Sequence, residues 1–105
     1  VNKVENDLHI SANLKAIEEL KAELLTAVAV LYRKMADFEE DDGEVFDTGA
    51  SAIALTYILL RRLGNDFDKT DELIVELAGA AAENAHHLET EFQDMSGLEK
   101  HIKSR

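Results

Sequence analysis

Two carboxylates three residues apart, Glu44 and Asp47, lead into a stretch from Ala50 to Leu60 whose only polar groups are hydroxyls. On a helix that spacing puts both acids on one face, with Cβ atoms about 5–6 Å apart. A helix apolar nearly all round must be covered on several sides. Carboxylates at its mouth lose part of their water, and like charges there call for a cation or a proton. A second pair, Glu19 and Glu23, is spaced four apart and stacks on one face of the preceding helix. Hard divalent cations such as Mg²⁺ take oxygen ligands, keep several waters and bridge to substrate phosphates. Glu19, Glu23, Glu44 and Asp47 are therefore the candidate metal ligands. A bound water is the candidate nucleophile, with Glu19 or Glu23 as base. Acidic pairs are common on solvated helix faces, so neither pair means much alone. The joint pattern carries the weight, because Glu23 adjoins Leu24 and Asp47 adjoins the apolar run.

The elements that must position these acids are helical. Leu14, Ile17, Leu20, Leu24, Val28, Leu31 and Met35 recur at steps of three and four, which predicts an amphipathic helix capped by Ser11 or Asn13 and ending near Ala36. Residues 1–10 read as a loose lead-in. Asp37 to Gly43 reads as a loop whose last acids, Asp41 or Asp42, cap the second helix. That central helix ends at Gly64 in the left-handed position that glycine favours. Asn65 to Asp68 forms a turn with Phe67 tucked under the bundle. Asp68 or Thr70 caps a third helix running to about Phe92, whose section Ala78 to Ala82 permits close approach of a neighbour. Asp94 to Gly97 interrupts it, and Leu98 to Lys103 makes a last short turn or two. The expected fold is an all-α bundle of three long helices plus a short C-terminal helix, in a single domain spanning 1–105. Three wide apolar faces exceed what so small a chain can bury alone, so a second copy is expected to complete a four-helix arrangement as a homodimer or higher homo-oligomer.

The formal charge of -11 over 105 residues excludes a nucleic-acid polymer as partner, since phosphate backbones are held by basic faces. There is no cysteine, hence no disulfide framework or thiol chemistry. The apolar run is too short and interrupted to span a bilayer, and the start of the chain has no apolar core of signal-peptide length. A cytoplasmic, membrane-free protein is the expectation. Arg61 and Arg62 can meet phosphates bidentately, or simply favour the negative end of their helix. His86 and His87, adjacent on a continuous helix, point about 100° apart and make no joint site. Glu83 with His87 at i, i+4 reads as a surface hydrogen bond. Tyr32 and Tyr57 read as core packing with hydroxyls at the rim. No Ser–His–Asp signature, Gly-rich phosphate loop or zinc spacing is present.

An acidic pair on one helix, then a Glu-x-x-Asp about twenty residues on, leading into an apolar helix closed by Leu63-Gly64-Asn65-Asp66, resembles the MazG-like family of nucleoside triphosphate pyrophosphohydrolases. The stretch Leu14 to Leu25, with the ending Asp94-Met95-Ser96-Gly97-Leu98, resembles more narrowly the short MazG-like proteins of Gram-positive bacteria. The resemblance implies an all-α fold, usually dimeric or higher, that binds Mg²⁺ (or Mn²⁺) and cleaves a nucleoside triphosphate to a monophosphate and pyrophosphate. By position, Glu23 matches the second acid of the family's Glu-x-x-Glu. Glu44 and Asp47 match its Glu-x-x-Asp, and Glu19 matches an acid that often precedes the first motif. Two features depart from the pattern. The first acid of Glu-x-x-Glu falls on Leu20, and the Lys-x-x-Asn that handles phosphates on the third helix has no match, with Asn84 the nearest stand-in. The alternative expectation is a helical dimer without catalysis that binds a nucleotide or a protein partner. A simple antiparallel hairpin also offsets the two acidic pairs by about two turns.

Overall fold

The computed structural model describes the backbone of residues 3–36 and 42–105, and the side chains of residues 9–36 and 43–105. Five helices occupy this range: α1 (Lys3–Met35), α2 (Asp42–Arg62), α3 (Phe67–Glu83), α4 (His87–Phe92) and α5 (Asp94–Lys103). No strand occurs among the described residues. The chain divides into two compact units, Val1–Asn65 and Asp66–Arg105.

In the first unit α1 and α2 pack as an antiparallel hairpin. No glycine or proline interrupts Lys3 to Met35, so the helix runs on through the segment expected to be a lead-in. Ser11 and Asn13 consequently lie inside α1 and do not cap it. Asn13 serves instead as a tie, its Nδ2 donating to the Arg62 carbonyl 3.1 Å away. The expected loop from Asp37 and its capping acids Asp41 and Asp42 fall largely outside the described residues.

Burial marks the hairpin's seam. The covered stripe runs on α1 through Asn13, Ile17, Leu20, Leu24, Ala27, Leu31 and Lys34, and on α2 through Val45, Thr48, Ala52, Leu55 and Leu59, with Ala16, Val28, Val30, Gly49, Tyr57 and Leu60 half-buried beside it. Both stripes alternate steps of three and four, the spacing of helices packed nearly parallel to one another. Val45 is the best buried of them, at 8% exposure. Three contacts set the register. Lys34 pairs with Glu44, Gly49 lies opposite Leu31, and Asn13 reaches Arg62. At the far end Gly64 takes φ 109°, and Asn65 N–H bonds back to the Leu60 carbonyl while Gly64 N–H bonds to Arg61. This is the glycine C-terminal stop expected there.

In the second unit α3 packs along α5, and α4 rests against α5. Asp66 caps α3 by accepting from Lys69 N–H, so Phe67 is the first helical residue and the expected caps Asp68 and Thr70 are displaced into the first turn. Ala78 (4% exposed) and Gly79 let α5 come close. A Cβ on Gly79 would stand 3.0 Å from Glu99 Oε2. The third helix stops at Glu83, short of the expected Phe92. Ala85 adopts φ 55°, and His86 N–H bonds to the Ala81 carbonyl, closing the same kind of stop that Gly64 makes. A non-glycine residue carries this turn at a cost of roughly 1 kcal/mol, which is why nothing in the residue types announces it.

Candidate metal-binding flank

The seam fixes where the four candidate acids sit. Each immediately precedes a seam residue: Glu19 before Leu20, Glu23 before Leu24, Glu44 before Val45, Asp47 before Thr48. One residue turns about 100° round a helix. Because the two helices run antiparallel, residues displaced in the same sense from the two seams lie on the same side of the hairpin. All four acids therefore share one flank. Their companions there are mostly small or short, Ala16, Thr26, Val30, Ser51 and Ala54, so the flank is shallow between its charged groups except at Ile58, which precedes Leu59 and is 42% exposed. The residues that follow the seam make the opposite flank, and most of it is apolar: Leu14, Leu25, Val28, Tyr32 and Met35 with Phe46, Ile53, Leu60 and Leu63, interrupted by the Glu18–Lys21 ion pair after Ile17 and Leu20. Tyr32 is 68% exposed, not packed in a core as expected.

Along the hairpin the acids stand at two levels. The register puts Asp47 opposite the region of Tyr32 and Glu23 opposite the region of Leu55, a separation of about 12–14 Å at 1.5 Å per residue. Among the described residues no three of His, Cys, Asp and Glu come together to hold a metal ion. Glu44 is engaged by the Lys34 ammonium. Lys15 Nζ approaches Glu19 at 4.0 Å, a surface pair of little strength. Glu23 and Asp47 are exposed. The donor set is thus one or two hard carboxylates at each level. That suits Mg²⁺, which keeps its waters and takes its remaining ligands from substrate phosphates, better than an ion needing a complete protein cage.

The structure accounts for Leu20. It lies on the seam, half-buried, turned toward α2, so the family's first acid falls where an apolar contact is made. Arg61 precedes Arg62 on the last turn of α2 and lies on the acid flank. Arg62 faces the seam's end, with its carbonyl tied to Asn13. Asn84 is the exposed C-cap of α3 and belongs to the second unit. Sequence reasoning passed over Arg33, which precedes seam residue Lys34 and therefore also lies on the acid flank, close to the level of Asp47.

The histidines differ from expectation. His86 ends the break after α3 as the N-cap of α4, its Nδ1 accepting from Leu88 N–H at 3.1 Å, while His87 is the first helical residue. Their rings stack, with centroids 4.3 Å apart. The same break separates Glu83 and His87, which share no helix. Glu89 on α4 accepts from both Ser96 N–H (2.7 Å) and Ser96 Oγ (2.8 Å), which lowers its pKa from the ordinary carboxylate value. It caps α5 from outside, since Gln93 at φ 61° makes no side-chain cap of its own. No described helix is long and apolar enough to cross a membrane.

The family model of MazG-like proteins matches residues 10–95. No curated protein and no solved structure matches the chain.

Proposed function

We propose, from the premise that the chain belongs to the MazG-like family, that it is a Mg²⁺-dependent nucleoside triphosphate pyrophosphohydrolase producing a nucleoside monophosphate and pyrophosphate. The observation that carries this reading is the segregation of Glu19, Glu23, Glu44 and Asp47 onto one flank of the α1–α2 hairpin, away from the apolar side. Chance placement of four exposed acids does not favour a common side.

Glu44 and Asp47 would hold the metal, which when bound offsets negative charge on the triphosphate. Lys34, now paired with Glu44, would be the ammonium nearest the phosphates. Glu19 and Glu23 lie about 12 Å or more along the flank from Asp47, beyond hydrogen-bond reach of water held there in the same chain. They would form a second carboxylate level, where either could take a proton from water at that level. Arg61, with Arg62 beside it, would contact phosphate oxygens of a ligand held at the Glu19–Glu23 level of the flank. The apolar flank is the surface for a second copy. Leu14, Leu25, Tyr32, Met35, Phe46, Ile53 and Leu63 are each more than half exposed. At about 100 Å² of removable area apiece, they offer roughly 700 Å², near the ~800 Å² that one partner buries in a standard interface.

The second reading is a helical dimer that binds a nucleotide or a protein without turnover. Leu20 on the seam and the two separated levels of acids favour it. Incubating the protein with each nucleoside triphosphate and Mg²⁺, with Asp47→Ala beside it, decides between them. Pyrophosphate released by the parent and lost in the variant supports the enzyme; no release across the panel supports the non-catalytic dimer. Activity unchanged by Asp47→Ala would overturn the site itself.

A further inference from the structure

We infer that Arg33 is the phosphate-binding residue of the acid flank, taking the part that no Lys-x-x-Asn supplies on α3. The inference rests on the reading of the flank as a nucleotide site.

Three observations place it. Arg33 precedes seam residue Lys34, which puts it on the flank that carries the four acids. The Lys34–Glu44 pair and the Leu31–Gly49 contact bring its level to that of Asp47 on the facing helix, so the guanidinium and the Glu44–Asp47 carboxylates stand on opposite rims of the shallow flank. No ion pair or hydrogen bond with a described residue engages the Arg33 guanidinium, although the chain has 22 acids for 11 lysines and arginines. Its neighbour Lys34 is taken by Glu44, and Arg61 and Lys34 both have partners. A guanidinium with no partner among the described residues, beside a carboxylate pair, suits a ligand that needs both. Phosphate oxygens on one side reach a carboxylate-held divalent ion, and those on the other side accept two parallel N–H bonds from a planar guanidinium. A bare anion would be repelled by the acids, and a bare cation would have no use for the arginine. The ligand class is therefore a di- or triphosphate carried with its metal.

Calorimetric titration of the full chain tests this, with Mn²⁺ alone and then inorganic pyrophosphate with and without Mn²⁺. Parent, Arg33→Ala, Arg33→Lys and Lys69→Ala are compared, and circular dichroism confirms that each keeps its helix content. Expected is an unchanged Mn²⁺ affinity and a pyrophosphate affinity about 10- to 100-fold weaker in Arg33→Ala. Arg33→Lys falls between, because it keeps the charge and loses the fork, and Lys69→Ala, which removes a cation paired with Glu72 on α3, matches the parent. Pyrophosphate binding that is equal in parent and Arg33→Ala, or absent from the parent under every condition, overturns the inference. If Mn²⁺ fails to bind while pyrophosphate binding still depends on Arg33, the acid-site reading falls and Arg33 stands.

Discussion

Replacing Leu20 with glutamate restores the acid that the family pattern places there, and the structure says what it will do. Leu20 is half-buried on the seam between Ile17 and Leu24, at the level of Leu59. Full burial of a leucine is worth about 1.5–3 kcal/mol, so removing a half-buried one costs about 1 kcal/mol. Setting a carboxylate against Leu55 and Leu59 without a hydrogen-bond partner adds about 1–2 kcal/mol. Leu20→Glu should therefore lose about 2–3 kcal/mol at neutral pH, measured by urea denaturation followed by helical circular dichroism. Desolvation raises the folded-state pKa of this glutamate above its unfolded value. The charge-dependent part of the loss is then fully present at neutral pH and fades as pH falls through that raised pKa. Millimolar Mg²⁺ should not rescue the variant, because a seam position does not reach the acid flank. A Leu20→Glu protein as stable as the parent, or one that Mg²⁺ stabilises more than it stabilises the parent, would place position 20 among the carboxylates and refute the assignment of seam and flank.

Other consequences follow from the same geometry. Glutamates at Leu25 and Ile53, on the apolar flank, should turn a dimer into monomer in analytical ultracentrifugation without altering pyrophosphate affinity; the same substitutions at Thr26 and Ala54 should leave association intact. Glu89 has a depressed pKa in the fold. Its contribution is present above the unfolded value of 4.5 and lost as pH falls through the lower folded value, so Ser96→Ala should move the Glu89 titration, read by NMR, upward toward 4.5. Ala85→Gly relieves a left-handed backbone at a non-glycine residue and should stabilise the protein by about 0.5–1 kcal/mol in thermal denaturation. A destabilised variant would mean that Ala85 does not hold this conformation in solution.

Why some of this was legible and some was not comes down to where each signal is stored. Helix α2 and its stop at Gly64 were readable because a glycine marks the left-handed residue. The stop after Glu83 was invisible because Ala85 does the same job without the chemical mark. A continuous helix would part His86 and His87 by about 100°; the break after Glu83 makes His86 an N-cap and lets the two rings stack. The acids were found by type and spacing, yet spacing alone says only that two residues share a face, never which face. That choice is made by the partner helix. Once Lys34 pairs with Glu44 the seam is fixed, and Glu19, Glu23, Glu44 and Asp47 each prove to stand one residue before it, while Leu25, Tyr32, Phe46 and Ile53 stand one residue after. The two-sidedness was written in the chain all along as a one-residue phase relation, but reading it needs the register, and register is a property of two helices together. The same logic explains why Arg33 escaped notice. Alone it is a basic residue in the last turn of α1, favoured there by the helix dipole; only the level of Asp47 across the hairpin gives it a second occupation.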